Sequence, residues 1–221
     1  MNFVNSFYKT LNMNDPALGS ETPRFGVVQV GGSSVGAEAQ VAACCAKTTA
    51  QQIASGCKCS RVEIPLTDSA DSIERGLAGI KFQAAPTTDL TYGMRLCQSM
   101  LATQRNDTKG EVVDRFVIAL TDGWTNRYFD DDDHTKTVRA CNFKSDTACQ
   151  VAMQAQLTRR ANAIRAAGIE MWFVGVGADG ADSNGYPLRL DAVMTPIADR
   201  FFVARSLRQL GEIASQGIPS M

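Results

Sequence analysis

The stretch FVIALTDG, residues 116–123, joins an uninterrupted apolar run to a polar turn. An apolar run without alternation is typical of a β-strand that is covered on both faces. A second run of this kind, IEMWFVGV at 169–176, follows an amphipathic helical pattern over 148–167. A strand, a helix and another strand in this order predict a parallel sheet with helices packed on both faces.

The segments on either side extend this α/β pattern along the chain. RVEIPL, residues 61–66, reads as a strand at an edge of the sheet, because Pro65 cannot donate a ladder hydrogen bond. Since no linker, repeat or low-complexity tract interrupts the sequence, residues 1–221 are interpreted as a single domain. Further strands are predicted at 25–30 and 201–203, and helices at 3–11, 71–80, 91–103, 190–197 and 206–217.

Composition and charge exclude several classes of function. The net charge of -1 gives no reason to expect a nucleic acid or an anionic membrane as partner. No apolar run approaches the ~20 residues that cross a bilayer, so membrane insertion is not expected. The N-terminus lacks a basic region followed by an apolar one, so no signal peptide is seen in this chain.

Seven cysteines are many for a protein of a reducing compartment. Their clustering in polar segments favours disulfides and hence an extracellular or cell-surface location. A zinc site is a competing interpretation, but Cys-Cys followed by Cys-x-Cys matches no common zinc spacing. Free thiols are a further alternative. The disulfide candidates are Cys44, Cys45, Cys57, Cys59, Cys141 and Cys149.

The candidate site residues follow the apolar runs, because ligands of open parallel sheets bind at the carboxyl ends of the strands. Asp122 comes directly after FVIALT, and Gly123 permits a sharp turn there. A carboxylate in this place suits a hard cation, although it could instead cap the next loop. The second candidate is PTTDLTYGM at 86–94, where the Thr88 hydroxyl either caps a helix or reaches a cation.

Together these segments resemble a von Willebrand factor A-type domain over residues 2–217. The resemblance implies a Rossmann-like, doubly wound, mostly parallel sheet with one antiparallel edge strand and helices on both faces. It also implies a non-enzymatic protein-binding or adhesion module. The residues that carry it, in the family's order, are RVEIPL, Thr88 five residues before Gly93, FVIALTDGW, AAGIEMWFVGVG at 166–177 and FFVARSLRQLGEIA at 201–214.

The resemblance further implies a metal-ion-dependent adhesion site. In that family Mg²⁺ or Mn²⁺ is held by an Asp-x-Ser-x-Ser loop after the first strand, by a Thr from a second loop and by the Asp of the Thr-Asp-Gly turn. Carried onto this sequence, the metal ligands are Thr88 and Asp122. The central first strand and its Asp-x-Ser-x-Ser loop are absent from this sequence. Metal binding is therefore expected to be weak or absent, and the chain is expected to be part of a longer, truncated protein.

A protein ligand that presents an acidic side chain is implied as the partner. Residues 31–59 then become a cysteine-bearing insertion, and 124–147 a long polar loop that overhangs the binding edge. The acidic run at 130–133 has a simpler interpretation as a solvated loop. The expected partner-binding residues are Thr87, Asp89, Gly123, Trp124, Asp130 and Asp131.

Two other functions stay open. The first is a Rossmann-like enzyme that binds a nucleotide or a small substrate. Against it, GGSSVG at 31–36 lacks the spacing of a phosphate-binding loop, and the sole histidine, His134, lies in an acidic run. No serine sits on a Gly-x-Ser-x-Gly turn, which argues against hydrolase chemistry. The second is an intracellular scaffold of the same family, for which seven reduced cysteines would be expected.

Overall fold

The computed structural model describes residues 4, 8–9, 23–31, 43, 45–57, 59–80, 88–103, 105–106, 109–110, 112–121, 127–129, 138–140, 147–176, 194–204 and 209. The described strands are β1 (Phe25–Gln29), β2 (Arg61–Thr67), β3 (Phe116–Thr121), β4 (Arg127–Phe129), β5 (Val138–Ala140), β6 (Glu170–Val176) and β7 (Arg200–Ala204). The described helices are α1 (Thr49–Ala54), α2 (Ala70–Gly79), α3 (Leu90–Met100) and α4 (Thr147–Ala166). None of these helices is both long and apolar enough to cross a membrane.

Strands β3, β6 and β7 form a parallel sheet in that order. Phe116 pairs with Glu170, and Trp172 pairs with Arg200, so β6 lies in the middle with a partner on each side. Its residues 171–175 are buried, as the uninterrupted apolar run at 169–176 predicts. The α/β class and the strands predicted at 116–120, 169–176 and 201–203 are confirmed.

Strands β1 and β2 form a separate antiparallel pair, with Gln29 opposite Arg61 and Phe25 opposite Thr67. Pro65 is exposed within β2, which agrees with the predicted edge position. Among the described residues β1 pairs with β2 alone, and β3 with β6 alone. The described strands therefore form two main sheets where the sequence predicted one.

Apolar clusters cover both faces of the parallel sheet. On one face α4 buries Leu157, Ala161 and Ile164 completely, against Met171 and Phe173 of β6. Burying such a side chain contributes about 1.5–3 kcal/mol, so this stripe is a large part of the stability of the fold.

On the other face, Phe116 of β3 and Phe202 of β7 pack around Val174 and Ala204. Phe25 of β1 joins this cluster and also a second one, which contains Ile64 of β2 and Ile73 of α2. Phe25 thus links the two sheets through a shared apolar layer, although their strands form no backbone pairs.

Local signals explain where two of the helices begin and end. Ser69 caps α2 by accepting a hydrogen bond from the Ser72 amide at 3.3 Å. Helix α4 is followed by Gly168 with a φ of +69°, the left-handed conformation that glycine adopts without a steric cost.

The predicted polar loop at 124–147 contains secondary structure. Strands β4 and β5 pair antiparallel within it, with Tyr128 opposite Arg139. The sequence analysis did not predict these two strands, because each has only three residues and the surrounding acidic residues dominate the pattern.

Three predicted helices are described only at single positions. Val4, Tyr8, Lys9, Met194 and Gln209 are helical. The remainder of the helices predicted at 3–11 and 206–217, and residues 190–193, lie outside the described residues.

Candidate functional site

Helix α3 runs antiparallel to β1. At the beginning of α3, Gly93 lies against Val30, the residue that follows β1, so closely that a Cβ at Gly93 would be 2.7 Å from Val30 Cγ2. At its end, the Met100 side chain contacts Gly26, near the start of β1. The N-terminus of α3 is therefore held at the carboxyl end of β1.

The same helix is anchored to the opposite, amino end of β3. Arg115, which immediately precedes β3, donates a hydrogen bond from Nη1 to the Leu101 carbonyl at 2.7 Å, just after α3. Leu90 and Met94 of α3 pack in the same apolar cluster as Val117 and Ala119 of β3. Since the other end of α3 lies at the start of β3, we infer that its N-terminal turn lies toward the carboxyl end of that strand, which Thr121 ends. We call residues 88–93 and the carboxyl end of β3 the candidate edge.

Asp89 holds the N-terminal turn of α3 in place. Its Oδ1 accepts hydrogen bonds from the Tyr92 amide at 3.0 Å and from the Thr91 hydroxyl at 2.6 Å. Such an N-cap contributes about 1 kcal/mol to helix stability. Asp89 is only 2% exposed, so its carboxylate caps the helix and does not present the partner-facing surface that the sequence predicted. Thr88, directly before it, is half-buried.

Ser60 joins three elements at the candidate edge. Its Oγ accepts a hydrogen bond from the Gly31 amide at 3.1 Å. The same hydroxyl lies 3.0 Å from the Gly31 carbonyl and 3.1 Å from the Asp89 carbonyl, as a donor to either. Ser60 is 1% exposed, so these bonds are shielded from water. Sequence reasoning missed this residue, because a lone serine before a strand has no distinguishing pattern.

The cysteine-bearing segment at 45–59 is tied to the same turn. Cys45 and Cys59 form a disulfide, with their Cα atoms 5.3 Å apart, which confirms this pair of candidates. The Cys45 carbonyl accepts a hydrogen bond from the Tyr92 hydroxyl at 3.3 Å. Cys57 is disulfide-bonded as well. Cys44, Cys141 and the side chain of Cys149 lie outside the described residues.

The environment of Tyr92 favours its neutral, hydrogen-bonding form. Burial raises the pKa of the phenol above its usual value of 10.0. The nearby Arg95 guanidinium lowers this pKa and the Asp89 carboxylate raises it, with burial as the largest cause. The hydroxyl that donates to Cys45 is consequently protonated at neutral pH.

Most of the other predicted site residues lie outside the described residues. The described residues stop at Thr121 and continue from Arg127, so the predicted metal ligand Asp122 is not among them. Of the predicted metal ligands, Thr88 alone lies among the described residues, directly before the helix cap Asp89. The residues outside the described ranges are Thr87, Asp122, Gly123, Trp124, Asp130 and Asp131.

The described residues do not by themselves fit a magnesium site. No group of three or more His, Cys, Asp or Glu side chains gathers among them. Mg²⁺ requires an octahedral set of oxygen ligands, usually including carboxylates. At the candidate edge Thr88 is half-buried, and the buried Asp89 carboxylate holds the helix cap.

The free thiol of Cys97 is poorly suited to catalysis. Cys97 lies in α3 and packs against the apolar cluster of the parallel sheet. Burial raises the pKa of this thiol to about 12. Because the thiolate is the nucleophile, a neutral thiol at physiological pH makes a weak one.

No family model and no curated protein matches the sequence. Among solved structures, the chain is similar to the pilus adhesin SpaC from Lactobacillus rhamnosus GG in its open conformation, with a TM-score of 0.57 and 18% identity. A second form of that adhesin gives a TM-score of 0.55 and 17% identity. Proximal thread matrix protein 1 from the mussel byssus gives a TM-score of 0.55 and 15% identity.

These similarities extend over the whole fold of the chain but over a part of each neighbour. The matches cover 97% of this chain and 26% of the adhesin, and 98% of this chain and 41% of the mussel protein. At such low identity the likeness concerns the fold: this α/β arrangement is one that occurs as part of larger proteins.

Proposed function

We propose that this chain is a non-enzymatic, protein-binding module of the von Willebrand factor A type, and that it binds its partner at the candidate edge. The observation that carries the proposal is the position of the α3 N-terminal turn. The contact of Gly93 with Val30 and the hydrogen bonds of Ser60 to Gly31 and Asp89 hold the turn that follows Thr88 at the carboxyl end of β1. In the proposed sheet this is the same edge as the carboxyl end of β3. In an open parallel sheet this edge is where ligands bind.

The proposal includes a doubly wound sheet with one more strand between β1 and β3. Within the described ranges each of these strands is paired along one edge, and Phe25 and Phe116 pack against the same apolar cluster. A parallel strand with apolar side chains on both faces would match this cluster. Burial of about five such side chains at about 1.5–3 kcal/mol each would add substantially to the stability of the domain.

The proposed location is extracellular or at a cell surface. The Cys45–Cys59 disulfide supports it, because disulfides persist mainly in oxidising compartments. The similarity of the fold to part of a pilus adhesin is consistent with the same location. Reduced cysteines throughout would instead have favoured an intracellular scaffold.

The proposed partner is a protein with an acidic side chain. Thr88 and Asp122 would hold Mg²⁺ or Mn²⁺ weakly, and the partner's carboxylate would complete the coordination together with water. Mn²⁺ at ten times its Kd would raise the free energy of unfolding by about 1.4 kcal/mol. The affinity for metal alone is expected to be low, because two protein ligands leave most positions to water.

The test measures binding to immobilised peptides. One pool of random peptides carries a central glutamate and the matched pool a central glutamine, each with Mn²⁺ or with a chelator. Binding that prefers the glutamate pool, requires Mn²⁺ and is lost in Asp122→Asn and Thr88→Val would support the proposal. Asp114→Asn is the matched control, since Asp114 is exposed and precedes β3 at the opposite end of that strand.

Equal binding to both pools, or binding unchanged in Asp122→Asn, would contradict the proposed site. Thermal unfolding in the presence of ATP or NAD⁺ tests the alternative that the chain is a nucleotide-binding enzyme. A rise in Tm with either nucleotide would favour a nucleotide-binding enzyme over an adhesion module.

A further inference from the structure

We propose that the Cys45–Cys59 disulfide controls the order of the candidate edge: the α3 N-terminal turn is fixed while the bridge is closed and becomes loose when a dithiol reduces it. The consequence for binding rests on the proposed function. The effect on local order does not, because it follows from contacts within the described chain.

One connection runs from Cys59 to the turn. Cys59 directly precedes Ser60, whose hydroxyl contacts the carbonyls of Gly31 and Asp89 at 3.0 and 3.1 Å. Both Cys59 and Ser60 are almost completely buried, at 4% and 1% exposed. Any displacement of Cys59 therefore moves the hydroxyl on which the helix cap rests.

The other connection runs from Cys45 to the turn. The Cys45 carbonyl accepts hydrogen bonds from the Tyr92 hydroxyl and from Gln52 Nε2, both at 3.3 Å. Tyr92 lies in the first turn of α3, and its amide donates to Asp89. Gln52 is buried and also donates to the Lys47 carbonyl at 2.9 Å, which fixes the backbone around Cys45.

The disulfide closes these two connections into one ring. Cys45 reaches the turn through Tyr92, Cys59 reaches it through Ser60, and both paths meet at Asp89. Cys59 lies 14 positions after Cys45 in the sequence, so the sulfur–sulfur bond fixes the two paths to each other directly, and its loss removes that link. The effect should stay local, because no described residue of the 45–59 segment belongs to the main apolar cluster of the parallel sheet.

The redox step is a thiol–disulfide exchange with a dithiol. Two electrons pass to the bridge, the Sγ–Sγ bond breaks, and Cys45 and Cys59 each take up a proton. The dithiol is oxidised to a cyclic disulfide. Since both cysteines are buried, the exchange takes place when the insertion opens transiently.

Hydrogen exchange in the double variant Cys45→Ser/Cys59→Ser tests the inference. We expect the Tyr92 and Gly93 amides to exchange about tenfold faster or more, and amides 171–174 in β6 to keep the wild-type rate. Cys97→Ser is the matched control, because it removes a cysteine that forms no disulfide. Unchanged exchange at Tyr92 and Gly93, or an equal increase in β6, would overturn the inference.

The variants Tyr92→Phe and Ser60→Ala keep the disulfide and break one connection each. They therefore test the role of the two connections even if the double serine variant does not fold. Each single variant should accelerate amide exchange in the turn less than the double serine variant does. Titration of the wild type with a dithiol should accelerate exchange as much as the double serine variant. If neither variant changes exchange in the turn, the two connections do not hold it and the inference fails.

The glutamate-peptide assay separates this inference from the proposed function. If the wild type does not bind the peptides but exchange in the turn responds to the bridge, the binding proposal fails and the structural role of the bridge stands. If the wild type binds, the double serine variant should bind at least several-fold more weakly. Equal binding by both would overturn control of the edge by the disulfide.

Discussion

At the scale of single residues, Gly93 determines how closely α3 approaches β1. A side chain at this position would overlap Val30, with a Cβ to Cγ2 distance of 2.7 Å. Real Cβ atoms do not approach carbon atoms so closely, so either the helix or Val30 would have to move. Thr88 and Asp89 would move with the helix.

We expect Gly93→Ala to lower the free energy of unfolding by about 1–3 kcal/mol through overpacking, partly offset by the better helix propensity of alanine. Urea unfolding measures the effect. Gly79→Ala is the matched control: Gly79 lies in α2 with open space around it, and its replacement should be neutral or slightly stabilising. The double variant Gly93→Ala/Val30→Ala should lose less free energy of unfolding than the sum of the losses in the two single variants. Strict additivity would show that the two positions do not compete for the same space.

At the scale of elements, Arg115 ties two helices to the parallel sheet. Its guanidinium donates to the Leu101 carbonyl, just after α3, and to the Ala167 carbonyl, just after α4. The last carbonyls of a helix lack partners within the helix, and they carry the negative end of its dipole. One planar, bidentate cation therefore satisfies both helix ends at the start of β3.

Arg115→Met should destabilise the protein by about 1.5–3 kcal/mol, because two helix ends lose a charged donor. The stability of Arg115→Lys should lie between those of the wild type and the methionine variant, since an ammonium group lacks the planar fork that spans two acceptors. Chemical denaturation measures both. Arg159→Met, on the exposed side of α4, is the control and should stay within about 0.5 kcal/mol of the wild type. Similar losses for the methionine variants at both positions would contradict the bridging role.

At the scale of the whole molecule, three weak acids with raised pKa values couple stability to alkaline pH. Burial raises the pKa of Cys97 to about 12 from 9.0, and it raises the pKa values of Tyr8 and Tyr92 above 10.0. Above pH 9 the unfolded chain loses the Cys97 proton while the folded protein keeps it. The unfolded state then binds fewer protons, so the free energy of unfolding decreases as pH rises.

We expect stability to be steady below pH 9 with respect to these groups and to fall progressively between pH 9 and 12. Urea unfolding at a series of pH values measures the slope. Cys97→Ala removes the group that titrates first. In that variant the free energy of unfolding should begin to fall nearer pH 10, where the tyrosines titrate in the unfolded chain. A stability that is independent of pH between 9 and 11 would show that Cys97 is not desolvated in the fold.

The sequence by itself determined the order of the main strands and helices. The runs at 116–120 and 169–176 are buried strands because their apolar side chains repeat without alternation, and Gly168 ends α4 because glycine adopts a positive φ without strain. The sequence also indicated the edge position of β2 and the tendency of Cys45 and Cys59 to form disulfides. The three-residue strands β4 and β5 carried too little periodicity to be recognised.

Only the tertiary structure decided how these elements meet. It paired Cys45 with Cys59, buried Asp89 as a helix cap and placed Ser60 against Asp89, 29 positions away in sequence. It also left β1 and β3 unpaired with each other. The physical reason is the range of the interactions: periodicity along a chain reports which side of one element is buried, whereas the partners of a hydroxyl, a thiol or a strand edge depend on packing between elements that are distant in sequence.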